Sequence, residues 1–129
     1  MLIALALASL AAPPAEPVLS RYQARACVRR GLPRGPCTNL LPIFEHRENY
    51  PAEAYVRHEQ GRTWYRVDVG TTGRVTACEI TRSSGSRSLD AATCTILRDR
   101  VAYDPARDAE GRPIPGEDHG YVTWVLPGW

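Results

Sequence analysis

The sequence predicts an α+β domain: a three-stranded antiparallel sheet with two helices packed on one face. Three observations point there. The stretches "RTWYRVDV" and "RVTACEITR" alternate apolar and polar residues and are joined by the turn former "GTTG", so they read as a hairpin. Helical patterns flank the hairpin on both sides, and "YVTWVL" near the C-terminus has high β-propensity. The order helix, strand, strand, helix, strand is satisfied most simply by laying both helices on one sheet face. The chain's 129 residues leave room for one such domain.

The chain opens with "MLIALALASLAAPPAEP", an uncharged apolar run ended by two prolines. It covers roughly 16 Å of a bilayer core about 30 Å thick, too little to span it. Its length suits the apolar region of a secretory signal with small residues near Ala11, so residues 1–17 are read as an export signal and the mature protein as periplasmic. The signal lacks Lys and Arg, and a longer N-terminus is the alternative. Residues 18–49 sustain no hydrophobic period and read as an irregular extension, followed by the domain at 50–129.

Within that domain, "PAEAYVRHEQG" is expected to be a short helix, with Pro51 at its first position, Glu53 in its first turn and Gly61 to stop it. On the first strand Thr63, Tyr65, Val67 and Val69 share one face, and Trp64, Arg66 and Asp68 the other. Cys78 and Ile80 share a face on the second. Ser88 is placed to cap the next helix, whose apolar stripe runs through Leu89, Ala92, Ile96, Leu97 and Val101. "DPARDAEGRPIPGED" reads as a loop whose acids fit no calcium-binding pattern. Val122, Trp124 and Leu126 form the inward set of the last strand, which pairs with one edge of the hairpin and leaves at least one edge open.

Four cysteines in a short exported chain imply disulfides, with three possible connectivities. Pairing by neighbours is the simplest: Cys27 with Cys37 around a Gly- and Pro-rich loop, and Cys78 with Cys94 from strand to helix. Zinc would want shorter Cys spacing or Cys mixed with His, and redox work would want Cys-x-x-Cys. His46, His58 and His119 fall in separate elements, and Ser83 and Ser84 lack a nucleophile elbow and read as turn formers. No phosphate loop or dinucleotide fingerprint occurs, so neither a cofactor, a metal nor a small-molecule substrate is expected, and binding is favoured over catalysis. All 16 basic residues are Arg, and the net charge is +2. Arg21, Arg25, Arg29, Arg30 and Arg34 form a cluster without acids that could face anionic lipid or cell wall; no nucleic-acid motif accompanies it.

"YPAEA", "GRTWYRVDVGTTGRV", "SSGSRSLDAA", "YDPARDAEGRPIPG" and "YVTWVLP", in this order and spacing, resemble the C-terminal domain of TonB, from Tyr50 to about Pro127. The resemblance implies the same fold and a non-catalytic role: capture of a short extended "box" peptide on the periplasmic side of an outer-membrane receptor, by adding it as a strand to the sheet edge. Carried onto this chain, the pairing edge is Tyr121, Val122, Thr123, Trp124, Val125 and Leu126, and the tract that also touches the receptor is Asn49, Tyr50 and Pro51. The Val18–Asn49 segment and the four cysteines depart from the family pattern, as does the missing membrane anchor and proline-rich arm of a full transducer. Hence two alternatives stand beside a peptide-binding module for TonB-dependent transport. One is a full energy transducer whose N-terminus is longer than given. The other is a structural envelope protein that uses the Arg-rich loop on wall or lipid, with the sheet edge serving a homodimer.

Overall fold

The hairpin is the centre of the fold. In a computed structural model, which describes residues 21–23, 31–39, 43–44 and 46–126, strands β2 (Gly61–Val69) and β3 (Val75–Arg82) run antiparallel through a turn at Gly70 and Gly73. The proposed export signal and Cys27 lie outside the described residues. Gly73 sits at φ 85°, and a Cβ there would stand 2.1 Å from the Tyr103 carbonyl oxygen, so the turn requires glycine twice over. That close approach lets the Tyr103 amide donate to the Gly73 carbonyl at 2.8 Å, tying the turn to the end of the second helix.

The first helix, α1 (Ala52–Val56), is shorter than expected. Pro51 is its N-cap and not its first helical residue, and the helix ends before His58, which takes φ 56°. Gly61 is therefore not the stop; it opens β2, where its missing Cβ admits the Ser84 carbonyl. The second helix, α2 (Arg87–Arg100), is capped by Ser86 and not by Ser88: the Leu89 amide donates to Ser86 Oγ at 3.2 Å. Ser88 instead donates to Glu53, linking the helices. Arg98 and Arg100 in the last turn suit the helix dipole.

Strand β6 (Gly116–Trp124) completes the expected three-stranded antiparallel sheet by pairing with β2 along its whole length, Gly61 opposite Trp124 and Val69 opposite Gly116. Both helices cover one face, where Thr63, Tyr65, Val67, Val69, Val122 and Trp124 meet Leu89, Ile96 and Leu97 in a single core. Cys78 and Cys94 are joined, with Cα atoms 5.7 Å apart, so the strand-to-helix staple is as expected. Cys37 is also disulfide-bonded; Cys27, its expected partner, lies outside the described residues.

The stretch read as a loop contains a small hairpin, β4 (Ala106–Arg107) with β5 (Pro113–Ile114), closed around Asp108, which accepts from the Glu110 and Arg112 amides. The extension is likewise not wholly irregular. Strand β1 (Arg21–Gln23) pairs antiparallel with β6, so that the sheet order is β1-β6-β2-β3. Among the described residues, the outer edge of β3 carries no strand.

Candidate functional site

Strand β6 exists because Val122 and Trp124 on one face are fully buried while Tyr121 and Thr123 on the other are half-exposed, a two-residue period that fixes the register. Trp124 anchors it. Its Nε1 donates to Thr93 Oγ1 at 3.0 Å, and that hydroxyl donates on to the Leu89 carbonyl at 2.8 Å, so the buried indole N–H is satisfied by α2. The rings of Tyr50 and Phe44 meet Trp124 edge-on, at 5.3 and 5.6 Å between centroids.

Through that contact the Asn49, Tyr50 and Pro51 tract comes to the C-terminal end of β6. Tyr50 is buried, and its hydroxyl donates to the Glu59 carbonyl at 2.5 Å. Burial first, and the Glu59 charge second, push its hydroxyl up to about 12, so it stays a neutral donor. Asn49 donates to the Ile43 carbonyl at 2.8 Å and accepts from Arg100, which fixes the approach to α1. Pro51 accepts the Tyr55 amide at 2.9 Å.

The expected pairing edge is longer than the strand. β6 ends at Trp124, so Val125 and Leu126 lie past the ladder; the Leu126 amide donates to Gln60 Oε1 at 2.7 Å, and its side chain is buried in the core. At Tyr121, Val122 and Thr123 the outer edge is occupied by β1.

The solvent face brings together residues that the sequence reading did not connect, with Arg62 added to them. Arg62 lies 4.1 Å from the Tyr121 ring centroid and 5.8 Å from that of Trp64, and its Nε donates to Thr123 at 2.9 Å. The Trp64 and Tyr121 rings are 4.8 Å apart. Alternation placed Trp64 outward; the cross-strand partner Tyr121 follows only from the β2–β6 register. Further along, Arg66 bonds Asp68 at 2.7 Å, Glu117 at 3.1 Å and Glu79 at 3.3 Å. His119, with Arg66 adding to it, holds the Glu117 carboxyl below its usual range. This face is a ladder of paired charges beside a cation–aromatic stack.

Ser83 and Ser84 have structural work. Burial pulls the Asp90 carboxyl up, but donors from Ser83, the Ser84 amide and hydroxyl, and Thr63 together bring it below its usual value. These bonds clamp the β3–α2 turn to the first turn of the helix. His46, His58 and His119 stay apart, and among the described residues no three His, Cys, Asp or Glu are grouped to hold a metal. Nor is any described helix long and apolar enough to cross a membrane.

Within residues 46–126, two helices lie on one face of a sheet ordered β6-β2-β3, with β1 from the extension added outside β6. The family model of the Gram-negative bacterial TonB protein C-terminal matches residues 46–126. The chain belongs to the TonB C-terminal family. The match begins at His46, close to the Tyr50 start of the sequence resemblance, and ends at Leu126. Membership implies a TonB-like, transport-related role in the cell envelope, in a family of non-catalytic domains that interact with outer-membrane receptors. No curated protein matches the chain.

Proposed function

We propose that this protein is a periplasmic, non-catalytic TonB-like module that captures an extended peptide of an outer-membrane receptor by strand addition at β6. The observation that carries the reading is the pairing of β6 itself: an extended segment lies against its outer edge, with Arg21 opposite Thr123 and Gln23 opposite Tyr121. An edge that accepts one strand in register has its backbone donors and acceptors aimed at the groove where a receptor peptide would add. Side chains there would supply selectivity, Tyr121 and Thr123 on the solvent face beside Arg62 and Trp64, with the Asn49, Tyr50 and Pro51 tract closing the far end. The envelope-scaffold alternative loses one of its cations, because Arg34 is bound to Asp104 at 2.9 Å.

The test is an NMR titration of the oxidised chain with box peptides of receptors from the same genome. Saturable amide shifts are expected at residues 121–124, with smaller ones at Asn49 and Tyr50. Flat shifts at millimolar peptide, both in this chain and in the β1 variant described next, would remove the capture role and leave the fold alone.

A further inference from the structure

The outer edge of β6, on which capture depends, is already filled by the chain's own β1, a strand contributed by the extension and not by the family domain at 46–126. We propose that β1 is a built-in competitor for the peptide edge, and that a receptor peptide binds by displacing it; this rests on the capture reading above.

Two features suit β1 to that part. Its described pairing is short: Arg21, Tyr22 and Gln23 pair with β6 at the sheet's margin. It is also kept close. Downstream, Arg34 and Arg107 exchange backbone hydrogen bonds at 3.0 and 2.9 Å, Cys37 and Asp104 do so at 3.1 and 2.8 Å, and Thr38 donates to the Ala102 carbonyl at 2.8 Å. An anchor about ten residues away holds a tethered strand at an effective concentration in the millimolar range. A strand on such a tether competes in cis for the edge.

The consequence is a threshold. A competitor that covers the edge for most of the time lowers apparent affinity by the open fraction, so a peptide with a longer pairing register than β1, or with added side-chain contacts, is favoured to displace it. In the absence of a receptor, β1 also blunts a strand edge that would otherwise pair with other chains.

The test compares the full chain with a Tyr22→Pro, Gln23→Pro variant, which removes two amide donors and cannot continue the ladder. A second variant, Tyr22→Gly with Gln23→Gly, weakens the strand while keeping its donors. Each is titrated with the same receptor box peptide, and amide exchange along β6 reports whether the edge has opened. The proposal expects faster exchange at residues 121–123 and a Kd about tenfold lower in the Pro variant, as for a competitor closed nine-tenths of the time, with the Gly variant between. Equal affinity in all three would overturn the competitor while leaving capture standing. Weaker binding by the variants would overturn it too, by making β1 part of the receptor site. No saturable binding by any of them would overturn both.

Discussion

Thr93 shows how one hydroxyl can decide the packing of a strand. It is fully buried on α2, accepts the Trp124 indole N–H and passes its own proton to the Leu89 carbonyl. Counting apolar residues on the helix passed it over, because a Thr in a stripe is polar by type and its bond to a carbonyl one turn back is visible only once the helix is built. Replacing Thr93 with Val keeps the shape and removes the acceptor, leaving a buried indole N–H unpaired at a cost of about 1–3 kcal/mol. The urea midpoint should fall accordingly, while Thr93→Ser, which retains the hydroxyl, should recover most of the loss. An unchanged midpoint for Val with a lowered one for Ser would show that the methyl group, and not the hydrogen bond, is what Thr93 contributes. The serines before α2 carry the same lesson. Ser83, Ser84 and Ser86 are spent on the turn and the cap, a cap that the sequence reading gave to Ser88.

Among the elements, those bounded by period and punctuation were legible and those bounded by long-range pairing were not. The β2 alternation and the facing of Cys78 and Ile80 are local properties, as is the inward set of β6, and all stand as read. β6 begins earlier than its apolar run, at Gly116, because pairing with β2 organises "GEDHG", which has no strand propensity of its own. β1, β4 and β5 are two or three residues long, too short to carry a period. For the same reason the site was half legible: Tyr50 and Trp124 could be named from motifs, but not the occupied edge or the stack of Arg62 with Tyr121. The Cys78–Cys94 staple was legible as a pairing of sequence neighbours, with Cys78 sharing a strand face with Ile80 and Cys94 on the helix that follows. It closes a sequence separation of 16 residues, for which loop entropy predicts about 3 kcal/mol. Replacing both cysteines with Ser should therefore lower Tm by roughly 10 °C or more, and peptide affinity should stay within about twofold because β6 lies across β2 from the staple. Lost binding in a variant that remains folded would assign the staple a part in the site.

At the scale of the molecule, two kinds of cohesion meet at the start of β6. The domain is joined by a continuous apolar core, whereas residues 34–38 of the extension dock on residues 102–107 through backbone bonds, the Thr38 hydroxyl and one acid between two arginines, Asp104 with Arg34 and Arg107 at 2.9 Å each. Gly116 permits the docking, since a Cβ there would stand 2.8 Å from that of Ala106 and 3.0 Å from the Pro36 ring. Arg34 first, then Arg107, holds the Asp104 carboxyl below its usual value. A carboxyl with a depressed folded pKa stabilises its contact fully above its unfolded pKa, near 3.8, and loses that contribution as pH falls through the lower folded value. The extension should thus open before the core. In native-state hydrogen exchange, the amides of Arg34, Cys37 and Arg107 should show smaller protection factors than those of β2, and Asp104→Asn at neutral pH should reduce them further without changing β2. Acidifying the unaltered chain below pH 3.8 should have the same selective effect. A single opening free energy for both groups of amides, unmoved by Asp104→Asn, would make the extension an integral part of the domain. The tether that keeps β1 at its edge would then be as permanent as the core, and displacement would have to occur in β1 alone.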